Sequence, residues 1–135
     1  MKNIVLTIFC ACILCLVTGC SGKKLSTEKL RDIEFTVVSK DQIPKELEEM
    51  MEEKQGLPFK LTYADQGELY IAVGYGKQPT TGYSIEVKEL YESKNAIYIH
   101  TNLIGPAKDE KVLHRNSYPY IVIKLEYIDK NVVFK

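Results

Sequence analysis

The chain has 135 residues, a formal net charge of zero, nine tyrosines, no tryptophan and four cysteines. Balanced charge without a clustered basic face argues against nucleic acid as a partner. All four cysteines lie within the first twenty residues, so the rest of the chain has no disulfide, no thiolate zinc site and no cysteine nucleophile.

The first twenty residues have the layout of a secretory signal. A basic start at Lys2 precedes the apolar run Ile4–Val17, which is shorter than the roughly twenty residues that a membrane-spanning helix needs. Small residues then precede Cys20, as a lipoprotein signal peptidase requires. We predict a signal peptide over residues 1–19, lipid on Cys20 and a protein anchored at the extracytoplasmic face of the cell membrane. The alternative is an ordinary signal peptide cut nearby, with Cys20 unmodified.

The mature chain is predicted to hold a lipidated tether, residues 20–31, and a single domain, residues 32–135. Ser21–Lys29 is polar and is typical of a short flexible linker. Ile33–Val38 is the first strand candidate.

One helix is predicted over Gln42–Gln55. Asp41 is a plausible cap for its first turn, and Leu47 begins an apolar stripe at helical spacing. Gly56 would end the helix, since glycine readily adopts the conformation that follows a last turn.

From residue 59 onwards apolar residues recur at every second position, the period of a half-buried strand. The pattern predicts a mainly β domain with one N-terminal helix, an α+β fold built on an antiparallel sheet or small sandwich. The strand candidates centre on Leu61, Ile71, Ile85, Ile99, Ile123 and Val132.

Two connections are long, Gly74–Gly82 and Gly105–Tyr118. In a run of antiparallel strands alternate connections fall at the same end, so we expect these two loops to lie side by side. Ordered loops on a rigid sheet are common binding sites. Tyr83, directly after the first loop, is expected to be buried together with Ile85 and Val87.

Signals of catalysis are nearly absent. The chain has two histidines, His100 and His114, and lacks the motifs of metalloproteases, serine hydrolases and phosphate-binding loops. We expect a protein that is not an enzyme, with no catalytic residue, no cofactor and no metal.

Two segments carry a family resemblance. Gly76–Val87 reads Gly-Lys-Gln-Pro-Thr-Thr-Gly-Tyr-Ser-Ile-Glu-Val, and Ser117–Lys124 reads Ser-Tyr-Pro-Tyr-Ile-Val-Ile-Lys. Together they resemble the C-terminal domain of the PrcB family, over about residues 41–126. That resemblance implies a bacterial lipoprotein that assists or stabilises an exported protease complex and has no catalysis of its own.

A second resemblance is local. Pro79–Tyr83 is similar to the main inhibitory loop of chagasin-type cysteine protease inhibitors. That similarity implies a chagasin-like immunoglobulin-type β-sandwich as the alternative fold and a protease inhibitor as the alternative function. Gln78 stands where that family prefers asparagine, and its glycine-rich second loop is missing here.

The partner of this binding module is expected to be an exported protease or another secreted protein, contacted through the two loops. Thr80 and Thr81 either meet the partner's backbone or satisfy the turn itself. The alternative is that both loops are solvated turns and that the partner is contacted through a sheet edge by strand addition. The candidate partner-binding residues are Gln78, Pro79, Thr80, Thr81, Gly82, Lys108, Asp109, Glu110, Lys111, Tyr118 and Pro119.

Overall fold

A computed structural model of the chain describes residues 25–135, so the predicted signal peptide and Cys20 lie outside the described residues. Eight strands and one α-helix follow one another in this range. They are β1 (Arg31–Asp32), β2 (Thr36–Val37), α1 (Lys45–Glu52), β3 (Phe59–Asp65), β4 (Glu68–Gly74), β5 (Ser84–Glu92), β6 (Ala96–Ile104), β7 (Tyr120–Glu126) and β8 (Asn131–Phe134).

The strands form two four-stranded sheets. Sheet I has the order β1-β5-β6-β8, and sheet II has the order β2-β7-β4-β3. Every pairing is antiparallel except that of β6 with β8. The predicted class, mainly β with one helix and mostly antiparallel sheets, is confirmed.

The largest core lies between the sheets. Ile71 and Val73 of β4 and Ile123 of β7 share one buried cluster with Ile97 and Ile99 of β6. These residues alternate with residues on the opposite face, because successive side chains of a strand point to opposite sides. The period-two pattern in the sequence therefore marks the residues that hold the two sheets together.

Helix α1 covers part of the outer face of sheet II. Leu47 is completely buried there against Ala72 and Val122. The helix begins three residues later than predicted because Pro44 disfavours helical backbone at the residue before it, and Ile43 is extended. No helix in residues 25–135 has the length and apolar character needed to cross a membrane.

Asp41 does not cap α1, contrary to the prediction. It lies in a short 3-10 turn before the helix, where the Ser39 hydroxyl donates to its carboxylate at 2.8 Å. The residue at the start of α1 is Pro44, which makes no side-chain capping bond.

The predicted strand Ile33–Val38 contains only the two-residue strand β2, and β1 lies directly before it in the other sheet. Arg31 and Asp32 pair with β5, whereas Thr36 and Val37 pair with β7. The chain crosses from sheet I to sheet II between them, and Ile33 enters the core at the crossing.

The molecule has two distinct ends. The β3–β4 and β5–β6 turns lie at one of them, here called the hairpin end, and the two long connections lie at the other, the loop end. The chain enters at the hairpin end, where the Leu30 amide donates to the Glu92 carbonyl and the Ser26 amide to Asn95 Oδ1. Contact with the sheet thus begins before residue 32, the predicted start of the domain.

Glu92 ties three segments together at the hairpin end. Its carboxylate accepts hydrogen bonds from Lys130 Nζ at 2.6 Å and from Arg31 Nε at 2.7 Å. Lys130 first, and Arg31 after it, lower the pKa of Glu92 below its ordinary value of 4.5. A carboxyl group whose pKa is lowered by folding stabilises the fold while it is ionised.

We expect Glu92→Gln to lower the free energy of unfolding near neutral pH. Because the folded-state pKa is depressed, the contribution of the carboxylate is complete above the unfolded pKa and is lost as the pH falls through the folded value. The difference in free energy of unfolding between the variant and the original protein should therefore become smaller below pH 4.5. Urea unfolding at several pH values measures it, with the exposed Glu126→Gln as control. A gap that does not depend on pH would contradict the assignment.

Candidate functional site

The loop end is built from two connections that cross between the sheets. The first loop, residues 75–83, joins β4 to β5, and the second loop, residues 105–119, joins β6 to β7. Gln78 and Ser117 exchange two backbone hydrogen bonds, of 2.8 and 3.0 Å, in an isolated antiparallel bridge. The predicted side-by-side placement is confirmed, and we call the two loops together the loop pair.

Both threonine hydroxyls of the first loop bond within the loop pair. Thr81 Oγ1 accepts from the Leu113 amide at 2.9 Å, and the Thr81 amide donates to the Leu113 carbonyl at 3.1 Å. Thr80 Oγ1 donates to the Thr81 carbonyl, and Ser117 Oγ donates to the Thr80 carbonyl at 2.6 Å. The geometry favours the interpretation in which these hydroxyls satisfy the turn.

Gly82 allows the two loops to approach closely. Its φ of +94° is in the region that L side chains rarely adopt. A Cβ at this position would lie 2.9 Å from Val112 Cγ1 and 3.0 Å from Pro106 Cβ. A side chain here would therefore push the second loop away.

The base of the first loop is held to both sheets. The Tyr75 amide donates to the Pro119 carbonyl at 3.1 Å, and Tyr75 Oη lies 2.6 Å from Thr101 Oγ1 of β6. These bonds, with the Gln78–Ser117 bridge, order the loop pair from its base to its middle.

The candidate residues do not form one patch. Pro79 is exposed on the first loop, and the run from Lys108 to Lys111, which includes Asp109 and Glu110, is exposed on the second. The Glu110 carboxylate reaches the neighbourhood of Gly82. Tyr118 instead lies against Gly56, beyond the end of α1.

Tyr83 is half-buried, not buried as predicted, and it precedes β5 instead of belonging to it. Ile85 and Val87 are half-buried as well. Within residues 25–135 this part of β5 has no hydrogen-bonded strand on its outer edge, because β1 pairs only with Tyr91 and Glu92. The fully covered part of the sandwich lies closer to the hairpin end.

Sequence reasoning missed a groove between α1 and the start of β7. The groove has a volume of about 470 Å³. Tyr118 and Tyr120 form one wall and are 52% and 39% exposed. Their spacing of two residues places both tyrosines on one face of the chain, and this spacing is visible in the sequence. The opposite wall comes from α1, and no local sequence pattern predicts it. The residues that line the groove are Lys40, Ile43, Glu48, Met51, Glu52, Gln55, Gly56, Phe59, Tyr118 and Tyr120.

Neither histidine lies in the loop pair's network of hydrogen bonds. His100 lies on β6, with Nδ1 4.0 Å from Glu89 Oε2, and His114 is exposed in the second loop. Across residues 25–135 no group of three or more histidine, cysteine or acidic side chains is placed to hold a metal ion.

Residues 69–126 match the family model described as PrcB C-terminal. The matched segment runs from β4 to β7 and contains both long loops. This match supports the resemblance to the PrcB family over residues 69–126, and residues 41–68 are outside it. No curated protein and no solved structure matches the chain.

We expect Thr81→Val to loosen the loop pair without unfolding the domain. The substitution keeps the side-chain shape and removes the acceptor of the Leu113 amide, a bond of about 1 kcal/mol. Amide hydrogen exchange at Leu113 should become faster, while exchange at Ile123 in the core should not change. Ser84→Ala, an exposed hydroxyl outside the loop pair, is the control. Unchanged exchange at Leu113 would show that the hydroxyl does not hold the second loop.

Proposed function

Because the chain carries a PrcB C-terminal segment over residues 69–126, we propose that it is a non-catalytic subunit of an exported protease complex. In this proposal lipid on Cys20 anchors the protein at the extracytoplasmic face of the membrane, and the loop end contacts the protease. The family match is the observation that carries the proposal.

The geometry of the loop pair supports contact at the loop end. Backbone bonds between Gln78 and Ser117 and between Thr81 and Leu113 order both loops before any partner arrives. A surface that is already ordered loses less conformational entropy on binding. Leu113 is also 59% exposed, so its apolar side chain is accessible to a partner on this ordered surface.

Inhibition of a protease is the second candidate. Pro79 is exposed, and the residues on both sides of it are hydrogen-bonded to the second loop. A loop held in this way keeps its shape inside a cleft, as the local similarity of Pro79–Tyr83 to chagasin-type inhibitors implies. The two candidates differ in the activity of the bound protease.

The anchor is tested at Cys20. A thioether to diacylglycerol needs the thiol, so Cys20→Ser should abolish fatty-acid labelling and leave the precursor uncleaved by the lipoprotein peptidase. Two or three acyl chains give stable attachment, so the variant should also lose that mode of membrane attachment. Labelling with radioactive palmitate in the native host measures the first effect, and Cys15→Ser is the matched control. Labelling that persists in Cys20→Ser would contradict the assignment.

The loop end is tested by affinity capture of the tagged full chain from membranes of its own cells. Leu113→Asp should reduce the amount of captured protease severalfold, because it places a charge on an exposed apolar contact while the Leu113 backbone bonds to Thr81 remain. Leu30→Asp, 61% exposed at the hairpin end, is the matched control. Mass spectrometry identifies and quantifies the captured protease.

The same capture separates the alternatives. If the captured protease remains active, this protein is a subunit. If the protease is inactive until it is released from this protein, this protein is an inhibitor. Capture that survives Leu113→Asp but is lost when Thr62 of the edge strand β3 becomes lysine would move the contact to the sheet edge, since charged side chains oppose strand addition. Absence of any protease from the captured material would contradict the proposed function.

A further inference from the structure

The groove between α1 and β7 has apolar walls at the loop end. Met51 of α1 and Phe59 of β3 face it from the helix side, and Tyr118 and Tyr120 face it from the opposite side. Both tyrosines are substantially exposed although their neighbour Val122 is buried under α1. The helix is too short to cover them, so an apolar surface stays open beside it.

The floor of the groove is held in place by tight packing. A Cβ on Gly74 would lie 2.3 Å from Phe59 Cε2, so the Phe59 ring rests directly on the backbone of β4. A Cβ on Gly56 would lie 2.8 Å from Tyr118 Cε1, so this tyrosine is seated against the chain that follows α1. The opening is therefore a formed surface that an apolar side chain can enter.

The rim of the groove along α1 is acidic. Glu48 and Glu52 line it, one helical turn apart. Neither carboxylate forms an ion pair with a lysine or arginine of residues 25–135. Lys40, the one basic residue at the rim, stands on the 3-10 turn and likewise has no ion pair in this range. An apolar opening beside two free carboxylates complements an apolar side chain with basic neighbours.

We propose that this groove binds a segment of the partner polypeptide in which a phenylalanine or leucine is flanked by lysine or arginine. The inference rests on the proposed function, because the segment belongs to the exported partner. The apolar side chain enters between Met51 and Tyr118, and the basic side chains meet Glu48 and Glu52. Tyr118 belongs to the second loop, so the groove adjoins the loop pair, and in this proposal one partner contacts both surfaces.

A pair of peptides tests the chemistry directly. The probe is acetyl-Gly-Lys-Phe-Lys-Gly-amide, and its counterpart has both lysines replaced by glutamate. The full lipidated chain, in lipid nanodiscs, carries ¹³C-labelled methionine methyl groups. The basic peptide should shift the Met51 signal, which faces the groove, and leave that of Met50, which does not line it. The acidic peptide should shift neither.

Matched variants on the same helix test the rim. Glu48→Gln with Glu52→Gln should weaken the basic peptide roughly fivefold, since two exposed ion pairs are lost. Glu49→Gln with Glu53→Gln, which removes the same charge from positions outside the groove, should leave affinity unchanged. Tyr118→Ala, at an exposed position, should abolish the Met51 shift without unfolding the domain.

Several results would overturn the proposal. They are an unchanged Met51 signal, equal shifts by both peptides, and a Met51 shift that depends on protein concentration alone, which would assign the groove to a second copy of the chain. Protease capture that is insensitive to Glu48→Gln with Glu52→Gln and to Tyr118→Ala would remove the groove from the interface while the proposed function stands. Peptide binding without any protease in the capture experiment would support the groove and contradict the proposed function.

Discussion

The loop end depends on one backbone pairing, the bridge between Gln78 and Ser117. Each of the two loops crosses from one sheet to the other, so each by itself could adopt many conformations. The bridge joins the middle of the first loop to the end of the second loop, and the bonds of Thr81 to Leu113 add a second connection closer to the middle of the second loop. Both the loop pair and the seat of Tyr118 next to Ser117 follow from this pairing.

Gly82 shows what this arrangement demands of the sequence. Its backbone conformation and the nearness of Val112 both exclude a larger residue. Gln78, Thr80, Thr81 and Gly82 are therefore explained structurally by contacts within the loop pair itself. Within the loop pair, the surfaces that remain for the proposed contact are Pro79, the side chain of Leu113 and the turn that contains Lys108.

Local patterns in the sequence predict most of this fold, and they fail where distant residues decide. Period-two alternation identifies the six longer strands, β3 to β8, because apolar side chains on at least one face of each pack against a core cluster. The start of α1 is misplaced because the effect of Pro44 on Ile43 outweighs the apolar periodicity. The first strand is misread because the chain leaves sheet I after Asp32 and joins sheet II at Thr36, and no local pattern marks a change of sheet.

The sequence likewise predicts one part of the candidate site and not another. Strand counting places the two loops together without any contact being known. It cannot show that the Thr81 hydroxyl accepts from Leu113, because that bond joins positions 32 residues apart. The groove beside Tyr118 is invisible in the sequence for the same reason, since its walls come from α1, β3 and β7.

The point at which the chain joins the sandwich has a consequence for the height of the protein above a bilayer. Ser26 is bonded to Asn95 at the hairpin end, opposite the loop pair. The nine residues of β6 span about 30 Å at the rise of an extended strand. With lipid on Cys20, the loop end would therefore point away from the lipid headgroups, and the hairpin end would face them. In the proposed arrangement the loop end would meet the part of the partner that stands in the aqueous phase, beyond the lipid headgroups.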